Sequence, residues 1–257
     1  SLNKIFAPDR ERLVEAAGAY AAYPENDSYR KLLKVIEAPW QELFRRINMA
    51  PGGTSTIVGM RQLVRSRLSD YPELDNLQRD LKYLLSAWFN RGFLQFEQIN
   101  WRTRAIVLEK LIAYEAVHEI HGWDDLRRRL ADDRRCFGFF HPVLPDEPLI
   151  FVEVALTRGL IGEIKTLIPN QSETTPEEKP DTAIFYSISN CQTGLEGISF
   201  GNFLIKQVVD TIKGELHDIK EFATLSPIPG FCKWLDDLLE ERHPELVSAK
   251  EFDCLQS

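Results

Sequence analysis

The clearest candidate for chemistry is a glycine-containing turn in the stretch TAIFYSISNCQTGLEGISFGNF, residues 182–203. Its first residues are apolar and predict a strand. A turn with Gly194, Gly197 and Gly201 follows, and a helix is predicted to begin near Phe200. The first N–H groups of a helix have no partner within it, the helix dipole favours negative charge there, and glycine lets a ligand approach the backbone. The pattern therefore favours a phosphate-bearing ligand.

A tight strand-to-helix connection that binds nothing would have the same composition, because glycine is also needed wherever φ is positive. Both interpretations remain open from the turn alone. Tyr186, Ser187 and Ser189 lie at the C-terminal end of the predicted strand. They favour a ligand site, because ligands of open α/β sheets gather at that edge.

Glu115 and His118 form a possible acid–base pair on a helix predicted over residues 104–119. Three positions apart, they would share a helix face, and the carboxylate would orient the imidazole for proton transfer. A partly buried, salt-linked pair is the ordinary alternative. A di-metal centre would need a second Glu-x-x-His unit, which the sequence lacks, so no metal site is predicted.

His141 and Ser226 are two further candidates in loops. His141 follows a predicted strand and precedes Pro142, so we expect the loop to expose it to a ligand. Ser226 precedes a loop with two prolines and a glycine, residues 227–230, which fixes the backbone and would place its hydroxyl rigidly. Alternatively, Ser226 only satisfies a backbone N–H at the start of a helix.

The composition limits the classes of protein to consider. The chain has 257 residues, of which 44% are hydrophobic, and a net charge of -8. This charge argues against non-specific binding of nucleic acid. No apolar run is long enough to span a membrane, and the first residues lack the apolar core of a signal peptide, so we expect a cytoplasmic protein that does not bind membranes. The four cysteines lack metal-ligand spacing and are predicted to be free, mostly buried thiols.

The pattern of apolar residues predicts a helical N-terminal domain, residues 1–92, followed by a mixed α/β domain, residues 93–257. The helices of the first domain are predicted at residues 11–20, 28–37, 56–68 and 73–89. The clearest strands of the second domain are predicted at residues 136–140, 149–156, 182–189 and 222–225. The last two strands flank the helix after the glycine turn, which implies a parallel pair joined by a crossover.

Several long segments of the chain resemble malonyl-CoA decarboxylases. They are LFRRINMAPGGTSTIVGMRQLV, YEAVHEIHGWDDLRRRLADDRRCFGFF, HPVLPDEPLIFVEVAL, TAIFYSISNCQTGLEGISFGNFLIKQVV and FATLSPIPGFCKWL. The similarity covers essentially the whole chain. It implies a helical oligomerisation domain that forms a homo-oligomer, followed by an acetyltransferase-like (GNAT) catalytic domain. Members of the family continue past the last of these segments with a histidine and a tyrosine that serve the chemistry, so we expect the catalytic domain to be incomplete in this chain.

The implied reaction converts malonyl-CoA to acetyl-CoA and carbon dioxide through an enolate of the thioester. The thioester accepts the electrons, so no separate cofactor is expected, since CoA belongs to the substrate. An acyl-CoA acyltransferase and a CoA-binding scaffold without its catalytic segment are the alternatives.

The resemblance also implies the positions of the site. Pantetheine would lie along the strand residues Tyr186, Ser187, Ile188 and Ser189. The pyrophosphate would rest on Gln192, Gly194, Leu195, Glu196, Gly197, Ile198, Ser199, Phe200 and Gly201. Glu115, in the matching segment YEAVH, is the best candidate for catalysis, and His141 and Ser226 are expected to support it.

Overall fold

The computed structural model describes residues 8–115, 117–167, 179–198, 203–226 and 228–241. The helices of the N-terminal part are α1 (Arg10–Ala22), α2 (Asn26–Ile36), α3 (Pro39–Asn48), α4 (Gly53–Ser66) and α5 (Asp75–Trp88). The elements that follow are β1 (Gln95–Ile99), α6 (Ala105–Tyr114), α7 (Trp123–Arg129), β2 (Arg134–Phe140), β3 (Ile150–Thr157), α8 (Ile164–Leu167), β4 (Thr182–Asn190), a 3-10 turn (Thr193–Leu195), α9 (Phe203–Glu215), β5 (Glu221–Thr224) and α10 (Phe231–Glu241). A helical part followed by a mixed sheet confirms the predicted fold class.

Helix α3 is absent from the sequence prediction, and its first residue explains why. Pro39 ends the apolar pattern of α2, and proline usually stops a helix. Here it occupies the first turn of the next helix, where its missing N–H costs nothing. The helix then buries Trp40 and Phe44. A proline between two apolar segments thus starts a helix as readily as it ends one.

The sheet has the strand order β1-β2-β3-β4-β5. Its first three pairs are antiparallel, while β4 and β5 are parallel and connected through α9, as predicted. β3 and β5, the two neighbours of β4, pair with segments of β4 that differ in length. β3 pairs with β4 as far as Asn190, whereas β5 pairs only as far as Phe185. The sheet therefore forks after Phe185, and the last residues of β4 form an edge.

A β-bulge lies at the point where the sheet forks. Ser187 of β4 is paired with Glu153 of β3, and Phe185 is paired with Val154, so Tyr186 is the extra residue. An extra residue breaks the alternation of side chains between the two faces. Tyr186 and Ser187 consequently face the same side of the sheet, and both are buried.

Helices cover both faces of the sheet. On one face, residues of α3, α4, α5 and α9 share one hydrophobic core with Phe137, Phe139 and Val152. On the other face, α6 and α7 pack on Phe140 and Phe151. The helical N-terminal part and the sheet thus share a continuous core, although the sequence suggested two domains.

The closest contact between the helical part and the sheet's loops is made by α4. A Cβ placed on Gly194 would lie 2.2 Å from the carbonyl oxygen of Val58. Backbone oxygen cannot move aside without shifting the helix, so only glycine fits at this position. Gly194 therefore serves packing, and it lacks the positive φ that the ordinary interpretation of the turn expected.

We expect Gly194→Ala to lower the free energy of unfolding by about 1–3 kcal/mol, because the added methyl group overpacks the contact with α4. Gly59→Ala is the matched control, since a Cβ on this exposed glycine of α4 would meet nothing within 4 Å. There alanine should stabilise the helix by about 0.5–1 kcal/mol. Urea unfolding of both variants measures the difference, and equal effects would contradict the packing role.

Candidate active site

The turn after β4 contains a second glycine with a different role. Gly197 has φ +74°, a left-handed conformation that side chains rarely adopt, and it is exposed. The Nζ of Lys82, on α5, lies 3.6 Å from the position that a Cβ on Gly197 would take. A flexible backbone position beside a cation is suited to an anion. Three predicted members of the turn lie outside the described residues: Ser199, Phe200 and Gly201.

The other predicted turn residues have structural contacts. Leu195 and Ile198 are buried in the core. The Gln192 amide donates to Glu147, with 3.1 Å between Nε2 and Oε2. Glu196 is exposed, and its carboxylate forms an ion pair of 2.7 Å with a guanidinium of α4. The side chains of this turn therefore hold it in place, and its backbone is the part left for a ligand.

Glu115 accepts hydrogen bonds only from neutral donors among its described contacts, and it is 8% exposed. The Ser187 hydroxyl lies 2.8 Å from both carboxylate oxygens, and the Ser189 hydroxyl lies 3.1 Å from Oε2. The backbone N–H groups of Val117 and His118 each donate to Oε1 at 2.8 Å. The structure thus brings together the predicted catalytic glutamate and two predicted strand residues.

The predicted pairing of Glu115 with His118 on one helix face is wrong. Helix α6 ends at Tyr114, and Glu115 has an extended backbone. Its carboxylate therefore folds back onto the N–H of His118 and not onto the imidazole. The His118 ring lies 6.5 Å from the ring of Tyr186. Burial lowers the pKa of His118, while Glu115 acts in the opposite direction.

A second buried charge cluster adjoins the first on the same face of the sheet. Arg129 of α7 donates to Glu153 of β3 at 2.8 Å and to Asp125 at 3.2 Å. Its guanidinium also lies 5.8 Å from the ring centre of Tyr186. Within the described residues, neither Oε1 of Glu153 nor the hydroxyl of Tyr186 has a hydrogen-bond partner of good geometry. Burial raises the pKa of Glu153 to about 7, although Arg129 opposes the shift.

His141 is buried, contrary to the prediction that its loop exposes it. It is 7% exposed, and its ring packs against Phe89 and Phe93, with centres 4.8 and 6.2 Å away. Nδ1 accepts the N–H of Val143 at 3.3 Å, whereas Nε2 has no partner within the described residues. Burial lowers the pKa of His141. A backbone contact with Trp88 acts in the opposite direction.

A polar cavity of about 570 Å³ opens beside His141. It is lined by residues of β1, the start of α6 and the loop after β2: Gln95, Glu97, Gln98, Asn100, Arg102, Thr103, Arg104, Val107, Phe140, His141, Pro142, Pro145 and Asp146. Glu115, Ser187 and Ser189 do not line it. The structure thus separates His141 from the Glu115 cluster.

Ser226 and Ile188 lie at the fork of the sheet. The N–H of Leu225 donates to the carbonyl of Phe185 at 2.8 Å, and this is the last described backbone contact between the two branches. Ser226 follows directly and is exposed. Ile188 is 37% exposed, whereas Tyr186, Ser187 and Ser189 are buried. Of the predicted pantetheine residues, Ile188 alone therefore presents its side chain to solvent.

No cluster of three or more His, Cys, Asp or Glu side chains suited to a metal is found in the described ranges. Cys136 and Cys191 are buried, and burial raises the pKa of both thiols. Cys232 is exposed, and Cys254 lies outside the described residues. None of the described helices is long and apolar enough to cross a membrane.

Sequence reasoning missed Arg129 and Glu153. A signal was present for Glu153, because it is the one charged residue in the apolar strand IFVEVALT. A charge in a strand with both faces covered needs a partner. Nothing in the basic segment RRR identified Arg129 as that partner, since only the packing of α7 on the sheet brings the two together.

The raised pKa of Glu153 predicts how stability changes with pH. The folded protein keeps this proton up to about pH 7, whereas the unfolded chain releases it near 4.5. Between pH 4.5 and about 7 the folded state therefore binds more protons than the unfolded chain. The contribution of Glu153 to the free energy of unfolding falls as the pH rises through this window. We expect Glu153→Gln to remove that fall, so that the unfolding free energy of the variant relative to wild type increases from pH 4.5 to 7.

Urea unfolding at several pH values measures this difference. Glu97→Gln, at an exposed position on β1, controls for the loss of a carboxylate elsewhere in the sheet. Parallel curves for wild type and Glu153→Gln would show that burial does not raise the pKa of Glu153.

Two protein-family models together match almost the whole chain. The malonyl-CoA decarboxylase N-terminal domain matches residues 6–89, and the malonyl-CoA decarboxylase C-terminal domain matches residues 92–257. A protein of Anser anser anser named malonyl-CoA decarboxylase, mitochondrial, is 40% identical over 213 residues. This match covers 80% of the chain and 42% of the goose protein.

Solved structures agree with this assignment. Malonyl-CoA decarboxylase from Rhodopseudomonas palustris is 51% identical with a TM-score of 0.87, and the match covers 97% of this chain and 61% of that one. The enzyme from Agrobacterium vitis is 46% identical with a TM-score of 0.87, and the match covers 99% of this chain and 62% of that one. The chain thus spans less than two thirds of each relative. It belongs to the malonyl-CoA decarboxylase family.

Proposed function

We propose that the complete protein decarboxylates malonyl-CoA to acetyl-CoA and carbon dioxide. The observation that carries this proposal is the match of both domains of the family, which extends from residue 6 to residue 257. The names of the relatives describe their activity, and the similarity extends over most of this chain. We infer the same substrate and products here.

The chemistry of this substrate needs little help from a cofactor. The bond between the α-carbon and the carboxylate breaks, and its electron pair moves into the thioester to form an enolate. A proton then adds to the α-carbon and gives acetyl-CoA. The protein contributes donors to the enolate oxygen and a group that supplies the proton. That no separate cofactor or metal takes part remains a prediction from this chemistry.

The fork of the sheet supports a site for the pantetheine arm. Pantetheine is extended and carries amide groups, which suit an exposed strand edge. β4 continues past Phe185 to Asn190 without pairing to β5. We infer that the arm lies along this edge, where Ile188 would contact it. Ser187 and Ser189 would support the strand from its buried face.

The turn after β4 supports a site for the pyrophosphate. Gly197 leaves its backbone accessible, and Lys82 adds a positive charge nearby. We infer that phosphate oxygens accept from backbone N–H groups of this turn. Binding the nucleotide there would fix the thioester relative to the fork, so that binding energy far from the reaction contributes to positioning.

We assign the catalytic roles to the residues nearest the fork. Glu115 holds the hydroxyls of Ser187 and Ser189 behind the strand edge, and together they form a route for a proton. Ser226 is exposed where β5 ends and would donate to the enolate oxygen. Away from the fork, His141 lines the polar cavity and would act from there.

The helical N-terminal part supports a proposal of self-association. None of the residues of α1 and α2 is buried, and Val14, Leu33 and Ile36 are exposed. We propose that a second copy of the chain covers these helices. The division of the chain at residue 92 and a cytoplasmic location also remain proposals, and the goose relative is named as mitochondrial.

The decisive test is release of labelled carbon dioxide from malonyl-CoA by the protein encoded by the complete reading frame. We expect Glu115→Gln to lower kcat by about 100-fold or more, the usual contribution of a positioned proton donor or acceptor. Glu109→Gln, an exposed position on α6, should leave kcat unchanged. Ser189→Ala tests the same route if Glu115→Gln fails to fold. A protein that binds malonyl-CoA without releasing carbon dioxide would contradict the proposed activity.

Gly197→Asp tests the phosphate site. Its carboxylate would repel the pyrophosphate, so we expect the affinity for CoA to fall about tenfold. Gly52→Asp is the control, because Gly52 also has a left-handed backbone, with φ +72° and open space around it. Calorimetric titration with CoA measures both variants. Unchanged affinity in a folded Gly197→Asp protein would remove the turn from the site.

A further inference from the structure

Arg61 is a fully buried cation that connects α4 to the turn after β4. Its Nη1 donates to the carbonyl of Gly194 at 2.5 Å, and its Nη2 donates to the carbonyl of Glu196 at 2.8 Å. More than 130 residues separate the two sides of this contact. Because the guanidinium is planar, its two Nη donors fix two parts of the turn at once, while its Nε has no partner within the described residues.

The contact with Glu196 determines where the next N–H group points. In a trans peptide the carbonyl and the N–H lie on opposite sides of the C–N bond. Because the Glu196 carbonyl points at Arg61, the N–H of Gly197 points away from α4. Within the described residues no partner is found for this N–H. A cation at the carbonyl end also polarises the peptide and strengthens its N–H as a donor.

The charges around Gly197 favour an anion at this N–H. The nearest carboxylate, that of Glu196, is engaged by Arg65 at 2.7 Å. Lys82 lies beside Gly197 and is exposed. Arg61 itself contributes positive charge from below the turn. The helical part therefore supplies every cation that these contacts place at the turn.

We propose that Arg61 is a positioning residue that directs the Gly197 N–H at a phosphate group of CoA, so that the helical N-terminal part completes the nucleotide site. This inference rests on the proposed function, in which the turn binds pyrophosphate. Arg61 does not touch the ligand. It acts through the peptide bond between Glu196 and Gly197.

The alternative role is that Arg61 only braces α4 against the sheet. If Arg61 only braces the helix, replacing it should lower stability and change the affinity for every ligand equally. If Arg61 directs the Gly197 N–H at a phosphate, replacing it should lower the affinity only for ligands that carry phosphates. Pantetheine lacks the nucleotide and all phosphate groups of CoA. Comparing its binding with that of CoA therefore distinguishes the two roles.

The experiment compares binding of CoA and of pantetheine to wild type, Arg61→Lys and Arg61→Met by calorimetric titration. We expect the affinity of Arg61→Met for CoA to fall about 10- to 100-fold, as for loss of a hydrogen bond to a charged group, with affinity for pantetheine unchanged within about twofold. Arg61→Lys keeps the positive charge but lacks the planar pair of donors, so we expect its affinity for CoA to fall less than that of Arg61→Met. Arg79→Met, an exposed position on α5, is the control.

Each outcome decides the inference. Equal losses for both ligands, or no loss for CoA in a folded variant, would overturn the positioning role while the wild-type preference for CoA still supports the phosphate site. If Arg61→Met does not fold, Arg61→Lys gives the same comparison. A wild-type protein that binds pantetheine as tightly as CoA would instead refute the phosphate site itself, and the role of Arg61 with it.

Discussion

The close contact between α4 and the turn after β4 joins the helical N-terminal part to the sheet. There a backbone carbonyl of the helix meets a glycine that has no room for a Cβ. A buried arginine then donates to two carbonyls of the turn, those of Gly194 and Glu196. Both Nη atoms of this fully buried guanidinium donate to the turn, whereas its Nε has no partner within the described residues, and these two charge-assisted bonds fix the helix and the turn in one relative position. The shared hydrophobic core extends this contact over the whole face of the sheet.

The other face of the sheet buries its charges in two different ways. Glu115 accepts hydrogen bonds from hydroxyl and backbone N–H donors, which stabilise its carboxylate, and no cation is among its described contacts. Glu153 is paired with Arg129, and burial raises its pKa although Arg129 opposes the shift. The bulge at Tyr186 makes both arrangements possible, because it turns an extra side chain toward this face. One irregular strand thus carries most of the polar groups near the fork.

Local patterns predicted the strands, the parallel pair and the helical N-terminal part, because side-chain periodicity follows from backbone geometry. They failed where the structure depends on the exact end of a helix or on contacts between residues that are distant in sequence. Periodicity across Glu115 continued the helix, although the chain leaves it at Tyr114. The loop beside His141 was expected to be exposed, but Phe89 and Phe93 from another part of the chain cover the ring. Arg61 gave no signal at all, since its partners lie more than 130 residues away.

The glycine turn shows why composition alone could not choose between packing and binding. Gly194 lacks a side chain because a helix lies against it, and Gly197 has a backbone conformation that side chains disfavour. The two glycines of this turn are therefore required for different reasons. Gly194 packs against α4, Gly197 has the positive φ of the ordinary interpretation, and ligand binding by the turn stays a prediction. What a phosphate would recognise is the direction of an N–H group, which sequence does not encode locally. That direction is set by the carbonyl on the other side of the peptide bond, and so by a side chain of the helical part.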